Sequence, residues 1–342
     1  MALAVLHLVI MVCLFTRDSF AKFVNEQCFL AKFLAVTGLT LVLMFVDNSH
    51  LRIYVQIAGI VSVIFLLYQS ISLIDFGYNW NDTWVDKYTD GTTFYGILLI
   101  LGSIGLFSLN AYLIHLNFST FWISGCALNK GSLMLNILII IAIVALVLLK
   151  YNENSSILTA FFISLLYTYY NGSALASYDS TKCNPFITES SNKFIYGSLY
   201  HILVNLLLAF ITCVYTSVSD KTSEKFKQAG VIYKHDSDES DDTIEKLEVV
   251  NTADREQTED TLEIYKTNEY VVFHLVMVMF SIYLTMIFFD WKKLDINLNR
   301  WGELLTANTA AFWIKMLNNV VFIGIYVWTL IAPYIIENRD FN

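Results

Sequence analysis

The chain has 342 residues, of which 56% are apolar, 15% are aromatic and only 15% are charged. Soluble domains are about half apolar and about a quarter charged, so this composition, with a mean hydropathy of +0.56, indicates an integral membrane protein. The formal net charge of −9 comes mainly from residues 235–263, where twelve Asp and Glu accompany two Lys and Arg, and no basic patch favours a nucleic-acid partner.

Apolar runs long enough to cross a bilayer recur along the chain. A spanning helix needs about 20 apolar residues, and this criterion predicts nine spans. They lie at 1–16, 28–46, 51–75, 94–116, 132–150, 156–177, 196–218, 269–290 and 308–335. The run at 156–177 is the weakest because "NGSALAS" dilutes its end. The first run is short but lacks a charged leader and a convincing cleavage site, so we interpret it as a span. The sequence therefore predicts an all-α, polytopic helical bundle.

One long polar connection divides this series of spans. Residues 219–267 are acidic, serine-rich and almost free of aromatic residues, which predicts a disordered or solvated loop. Seven spans precede this loop within 1–218, and the last two spans and a short tail follow it within 268–342. Lysines close to the preceding span weakly favour a cytosolic loop. A regulatory or adaptor-binding role is the alternative to a plain solvated loop.

Catalytic and metal-binding motifs are absent from the sequence. The segment "GCALNKGS" at 125–132 superficially resembles a phosphate loop, but it lacks the Gly-Lys-Ser/Thr order that the loop needs. No HExxH, GxSxG, CxxC or dinucleotide fingerprint occurs, and the six histidines are scattered. We therefore predict that the protein is not an enzyme and uses no cofactor or metal ion.

Polar side chains within the predicted spans are the strongest functional signal. An ionisable group at membrane depth is costly, so it usually faces a partner or a water-filled cavity. One interpretation is a polar pathway through the membrane; the other is interhelical hydrogen bonding, worth about 1 kcal/mol for each group. The candidates are His201, Asn205, His274, Lys315 and Asn318.

The segment "SLIDFGYNWNDTWV" at 72–85 ends the third predicted span with an unusual cluster. Asp75 marks the expected edge of the hydrocarbon region, and Gly77 is expected to loosen the helix there. Trp80 and Trp84 are four residues apart, so a short helix could place both at the membrane interface as anchors.

The same segment resembles the serine incorporator family, in which a hydrophobic helix ends in Asp-Phe, then Trp-Asn and a second Trp. Four further stretches are similar to this family in the same order. They are "KFLAVTGLTLVLMFV", "SALASYDSTKCNP", "EYVVFHLVMVMFSIYLTMIFFDW" and "FWIKMLNNVVFIGIYVWTLIAPYIIENRDF". The resemblance covers residues 31–342.

The resemblance implies ten spans in two parts, crossed by a long tilted helix that matches residues 51–84. We expect the family's first span and its cysteine-rich loop to be missing from this chain. The implied topology places 16–27, 76–93, 151–155 and 219–267 in the cytosol. Cys126 and Cys183 would then share the luminal or exterior side, where a disulfide could persist. Asn117 would be the one glycosylation sequon on that side.

The resemblance also implies handling of lipids in an endomembrane or plasma membrane. The family was named for promoting serine incorporation into phosphatidylserine and sphingolipids, and members are associated with moving phospholipids between leaflets. We expect one of these activities, with membrane phospholipids as partners. Two alternatives stay open: a scaffold that gathers serine-lipid synthesis enzymes through the acidic loop, and a carrier for serine itself.

Overall fold

The structure, a computed structural model, describes residues 1–15, 23–25, 27–43, 45, 48–149, 155–188, 191–218, 270–287 and 309–335. These ranges form helices joined by short turns and contain no β-strand. The helices are α1 (Ala2–Phe15), α2 (Phe29–Leu43), α3 (Asn48–Thr89), α4 (Thr93–Phe121), α5 (Ala127–Leu148), α6 (Ile157–Ala176), α7 (Pro185–Thr188), α8 (Ser191–Val218), α9 (Tyr270–Ile287) and α10 (Thr309–Ile335). The predicted all-α membrane bundle is confirmed. The acidic loop 219–267 and the predicted tail lie outside the described residues.

Each of the nine predicted spans corresponds to a helix. Among the described residues, six helices are long and apolar enough to cross a membrane, namely α3, α4, α5, α8, α9 and α10. Helices α1 and α2 are apolar but shorter. The remaining prediction, 156–177, corresponds to α6, whose 20 residues include many hydroxyl and amide side chains.

Helix α3 continues far beyond the span expected at 51–75. Its 42 residues correspond to about 63 Å at 1.5 Å per residue, roughly twice the hydrocarbon thickness of a bilayer. A helix of this length must tilt strongly or extend beyond the lipid. Asp75, Trp80 and Trp84 therefore lie along one continuous helix. The Trp80 and Trp84 rings meet edge to face with centroids 5.2 Å apart.

The end of α3 is set by Gly91 and not by Gly77. Gly91 has a φ of +99°, and its N–H donates to the Tyr88 carbonyl at 3.1 Å. The N–H of Thr92 donates to the Lys87 carbonyl at 3.2 Å, which completes a Schellman motif. The expectation that Gly77 loosens the helix is wrong. A Cβ there would lie 3.0 Å from Phe162, and the Gly77 carbonyl accepts from Thr159 Oγ1 at 3.1 Å.

The chain divides into two compact units, one formed by Met1–Leu51 and Cys213–Ile282, the other by Arg52–Thr212 and Tyr283–Asn342. In the first unit α1 packs against α2. Ile10 and Leu14 of α1 also form a small buried cluster with Tyr270 of α9.

In the second unit α6 is the central helix, packed against α4, α5 and α10. Its apolar side forms the core with Ile143 of α5 and with Phe322 and Tyr326 of α10, and all of these residues are fully buried. The hydroxyl of Ser156 caps α6 by accepting from the Leu158 N–H at 3.2 Å. Because its neighbours enclose α6, this helix can carry polar side chains that a lipid-facing helix could not.

Candidate functional site

Buried polar side chains recur along α6, and we call this series the stripe, although its members contact different helices: Thr159 contacts α3, Thr168 contacts α4 and α5, and Ser177 contacts α10. Its members are Thr159, Ser164, Thr168, Asn171 and Ser177, each 3% exposed or less. Between Thr159 and Ser177 the helix rises about 27 Å, close to the thickness of the hydrocarbon region. The stripe therefore places hydrogen-bonding groups at successive depths inside the second unit.

Polar side chains of α4 and α5 face the middle of this series, at Thr168 and Asn171. Thr168 Oγ1 lies 2.8 Å from Asn110 Oδ1 of α4 and 3.4 Å from Asn136 Oδ1 of α5. One turn further along α6, Ser132 Oγ donates to Asn171 Oδ1 at 2.6 Å, and Asn171 Nδ2 donates to the Ser132 carbonyl at 3.1 Å. These bonds join three helices at membrane depth.

Asn117 belongs to this buried network. It is 8% exposed, and its Nδ2 donates to the Thr168 carbonyl at 3.0 Å. Its side chain also lies against the backbone of Gly172. A glycosylation acceptor needs an accessible amide nitrogen on a flexible segment, whereas this nitrogen is buried in a helical bundle. The structure therefore disfavours the candidate glycosylation of Asn117.

Two predicted pathway residues, Lys315 of α10 and His201 of α8, lie beside the C-terminal half of α6. Lys315 of α10 donates to Ser177 Oγ at 2.5 Å, and Ser177 Oγ donates to the Ser173 carbonyl at 3.1 Å. The His201 carbonyl accepts from the Tyr169 hydroxyl at 3.1 Å. The partly buried Lys315 and His201 thus lie beside the same half of α6.

The other three predicted pathway residues lie elsewhere. Asn318 is buried against α3, with its Oδ1 3.4 Å from Ser70 Oγ. Asn205 is partly buried on α8. His274 belongs to the first unit, where its ring nitrogens lie 2.7 Å from His7 Nδ1 and 2.8 Å from Asn25 Oδ1. The five residues therefore do not form a single cluster, and His274 has a separate environment.

A disulfide closes one end of the second unit. It joins Cys126, immediately before α5, to Cys183, between α6 and α7, with the Cα atoms 5.6 Å apart. Asn129 Nδ2 donates to the Cys183 carbonyl at 2.8 Å, which adds a second link between the same two segments. The structure thus brings together the two cysteines that the sequence analysis paired.

At the opposite end of α6 the second unit contains an amphipathic crevice of about 920 Å³. Apolar side chains of α4, α5 and α6 form most of its wall, including Leu99, Ile104, Phe107, Val147 and Phe161. Such a cavity is within the size range of small-molecule sites and suits an apolar chain.

Polar groups are concentrated at one side of this crevice. Ser156 Oγ donates to Asn81 Oδ1 at 2.6 Å, and Asn81 Nδ2 donates to Asp82 Oδ1 at 3.1 Å. Ser155 Oγ is buried there and has no hydrogen-bond partner among the described residues. Asp82 is exposed and is the one charged residue among the described lining residues. The crevice therefore combines an anionic polar end with an apolar wall.

Most of these groups were missed in the sequence because asparagine and serine are common in loops. A signal was nevertheless present: Asn110 and Asn117 are seven residues apart, as are Asn129 and Asn136, and each pair lies in or next to an apolar run. That spacing places each pair on one helix face. Among the described residues, no group of three His, Cys, Asp or Glu side chains could hold a metal ion.

Several apolar helices around a polar interior define a multi-pass integral membrane protein. The model of the serine incorporator (Serinc) family matches residues 1–339. The chain therefore belongs to the serine incorporator family, as its sequence motifs indicate.

Curated relatives agree with this family along almost the whole chain. Serine incorporator 2 of Homo sapiens is 27% identical over 96% of this chain and 74% of the relative. Serine incorporator 3 of Bos taurus is 22% identical, with coverage of 91% and 71%. A probable serine incorporator of Nematostella vectensis is 25% identical, with coverage of 86% and 67%.

Proposed function

We propose that this protein moves phospholipids between the leaflets of its membrane without nucleotide hydrolysis. The observation that carries the proposal is the amphipathic crevice beside α6, because its polar and apolar parts match the two parts of a phospholipid. Its relatives are named serine incorporators, which supports phosphatidylserine as one of the lipids handled. Promotion of serine incorporation into lipids is part of the same proposal.

In the proposed complex, the headgroup lies at the polar side of the crevice. The Asp82 carboxylate attracts the ammonium group that phosphatidylserine, phosphatidylcholine and phosphatidylethanolamine share. The buried hydroxyl of Ser155, which has no hydrogen-bond partner among the described residues, is suited to donate to a phosphate oxygen. An acyl chain lies along Leu99, Ile104 and the other apolar side chains. By the topology that the family resemblance implies, this end of α6 faces the cytosolic leaflet.

Near the other end of α6, Lys315 and Ser177 supply a second polar position. The Lys315 ammonium complements the phosphate of a headgroup in the opposite leaflet. The stripe between these two positions supplies further hydrogen-bonding groups at intermediate depth. Because the stripe is buried, transfer requires that α4 or α10 moves away from α6 while the headgroup passes.

The test is leaflet exchange in liposomes that contain purified, folded protein and fluorescent phosphatidylserine or phosphatidylcholine. Dithionite quenches only the outer leaflet, so exchange appears as loss of more than half of the fluorescence. A plateau at half of the signal, with the protein correctly inserted, would contradict the proposal.

A matched pair of variants locates the lipid in the crevice. Ser103 lines the crevice, whereas Ser108 of the same helix is an exposed residue outside the lining, and each hydroxyl donates to its own helix at 2.8 Å. Ser103→Trp is expected to fill the crevice and slow exchange, and Ser108→Trp to leave the rate unchanged. Equal rates for the two variants would exclude this crevice as the lipid site.

A further inference from the structure

A pair of histidines joins α1 to α9 within the first unit. His7 Nδ1 of α1 lies 2.7 Å from His274 Nδ1 of α9. The ring centroids are 5.0 Å apart, close to the largest separation that this contact allows, so the two nitrogens point at one another. His274 is 3% exposed, and His7 is partly buried. The geometry is that of a hydrogen bond between two imidazole rings.

A second contact limits where the protons of this pair lie. His274 Nε2 is 2.8 Å from Asn25 Oδ1. Since a carbonyl oxygen only accepts, Nε2 carries a proton, and in a neutral ring the Nδ1 of His274 then accepts from His7 Nδ1. If the Asn25 amide is reversed, its nitrogen donates to Nε2 and the bond between the rings runs the other way. In both cases one proton lies between the two facing nitrogens.

The surroundings of the pair are poor in negative charge. Lys32 of α2 donates to the backbone carbonyl of Asn25, so an ammonium group lies beside the asparagine that contacts His274. Lys32 is the one Lys, Arg, Asp or Glu among the described residues of α1, α2 and α9, and the described part of the first unit contains no Asp or Glu. The other titratable side chains of these three helices are Cys13, Tyr270 and Tyr283. A positive charge on the pair therefore has no described carboxylate to offset it.

We propose that His7 and His274 form a proton-binding site that controls the contact between α1 and α9. One added proton goes to His7 Nε2, which does not face His274, and leaves the bond intact. A second proton, taken up from water, goes to the facing Nδ1 that lacks one. Two N–H groups then face each other without an acceptor, and two imidazolium charges repel beside Lys32. The rings separate, and α1 loosens from α9.

The direction of the pH effect follows from the number of protons that the rings hold. In contact, the two rings hold at most three protons on their four nitrogens, because only one proton fits between the facing pair. Separated rings hold four. Acid therefore favours the separated state, so the contact is present near neutral pH. It is lost as the pH falls through the range in which histidine titrates, about pH 5–8.

The site is independent of the proposed lipid transfer, because its four residues belong to the first unit and the crevice to the second. The topology that the family resemblance implies places 16–27 and 219–267 in the cytosol. Asn25 lies in the first of these segments, and α9 follows the second. Protons therefore reach the pair from the cytosolic side.

Nitrogen NMR of the full chain, with isotope-labelled histidine in lipid nanodiscs, tests the hydrogen bond directly. We expect a scalar coupling between His7 Nδ1 and His274 Nδ1 near pH 8. The coupling should be lost from the wild type near pH 5 and should be absent from His7→Gln at both values. A folded protein without this coupling near pH 8 would overturn the proposal.

Thermal unfolding in the same nanodiscs tests the effect of protons on stability. The amide in His7→Gln both donates and accepts but does not titrate, so its contact with His274 survives acid. Between about pH 8 and pH 5, the melting temperature of the wild type should fall by about 2–4 °C more than that of His7→Gln. His115→Gln, at an exposed position of α4, should behave as the wild type.

Equal falls in the wild type and His7→Gln would show that the pair does not bind the proton that matters, and would overturn the proposal. If His7→Gln does not fold, His274→Gln gives the same comparison, because its amide faces His7 Nδ1 instead.

Zinc separates a proton site from a metal site. Nitrogens 2.7 Å apart are too close to flank a metal ion, whose bonds to histidine are about 2.0–2.1 Å long. We therefore expect Zn²⁺ to leave the melting temperature unchanged. A rise with Zn²⁺ in the wild type that is absent from His7→Gln would identify a metal site and overturn the proposal.

Discussion

At the scale of single residues, Gly172 determines how closely α4 and α6 approach. A Cβ at this position would lie 2.5 Å from Asn117 Oδ1, and the Asn117 amide is already held by the Thr168 carbonyl at 3.0 Å. Gly172→Ala must therefore displace Asn117 and break its hydrogen bond. We expect a loss of about 1–3 kcal/mol in stability, measured as thermal or denaturant unfolding in detergent.

The control for Gly172→Ala is Gly105→Ala on α4, where nothing lies within 4 Å of an added Cβ. That change should be neutral or stabilising by about 0–1 kcal/mol, since alanine favours the helix over glycine. Adding Asn117→Ala to Gly172→Ala should recover part of the loss by removing the clash. Similar effects of the two glycine substitutions would contradict the close contact.

Lys315 is the second single residue for which we predict an effect, here on the rate of lipid exchange. Lys315→Met removes the ammonium but keeps much of the side-chain length. If the ammonium holds a lipid phosphate, exchange of phosphatidylserine in liposomes should slow by about tenfold or more, because a hydrogen bond to a charged group contributes about 1.5–3 kcal/mol. Lys315→Arg should retain most of the exchange rate.

Ser177→Ala tests whether Lys315 binds a lipid phosphate or only stabilises the fold. It removes the hydroxyl that Lys315 contacts at 2.5 Å but leaves the ammonium in place for a headgroup. We expect a small effect on exchange and a modest loss of thermal stability. If Lys315→Met and Ser177→Ala lowered stability alike and left exchange unchanged, the Lys315–Ser177 contact would be structural only.

At the scale of helices, the disulfide connects the segment before α5 to the segment after α6. Cys126 and Cys183 are 57 residues apart in sequence, so their bond closes a long loop that contains both helices. Of the five cysteines, Cys13, Cys28 and Cys213 are not in a disulfide. Unfolded, unreduced protein should therefore bind three maleimides, and reduced protein should bind five, as counted by intact mass.

Loss of this bond should destabilise the second unit. Cys126→Ser with Cys183→Ser is expected to cost about 2–5 kcal/mol, the range for removal of a native disulfide. The double variant should bind three maleimides with or without reductant. Five labels on unreduced wild-type protein would show that the two thiols are unpaired.

How far the sequence predicts an element depends on what surrounds it. The spans of α4, α5 and α10 were predictable because lipid-facing helices must be apolar along their length. Helix α6 was the weakest prediction because its neighbours satisfy its hydroxyl and amide groups, which removes the need for apolar side chains. Hydropathy alone misplaced the end of α3 at Asp75, since hydrophobicity falls there while helical hydrogen bonding continues to Thr89. The long helix that the family resemblance implied over 51–84 is confirmed.

The candidate site was less predictable than the helices. Lys315 and His201 stood out as costly groups at membrane depth, and the structure places both beside the C-terminal half of α6. Asn81 and Ser156 could not be paired from the sequence, because 75 positions separate them and their contact depends on how α3 packs against α6. The same limitation applies to Asn110, Asn136 and Thr168.

At the scale of the whole molecule, the transport proposal and the scaffold alternative assign activity to different parts of the chain. The crevice and Lys315 belong to the unit formed by Arg52–Thr212 and Tyr283–Asn342. The acidic segment 219–267 lies outside the described residues and outside both of these ranges. A protein in which a short Gly-Ser linker replaces residues 225–262 should therefore exchange phospholipids in liposomes at close to the wild-type rate.

In the scaffold alternative the activity depends on the acidic loop and not on the crevice, because the loop would recruit the synthesis enzymes. Under that alternative the same deletion abolishes any stimulation of serine incorporation into lipids in cells, and Ser103→Trp leaves that stimulation intact. A full-length variant in which amides replace the carboxylates of the loop removes the charge of the loop but keeps its length. It therefore shows which of these two properties the activity requires. If the deletion variant is folded and inserted but exchanges no lipid, the loop is required for transport, and the crevice alone cannot account for it.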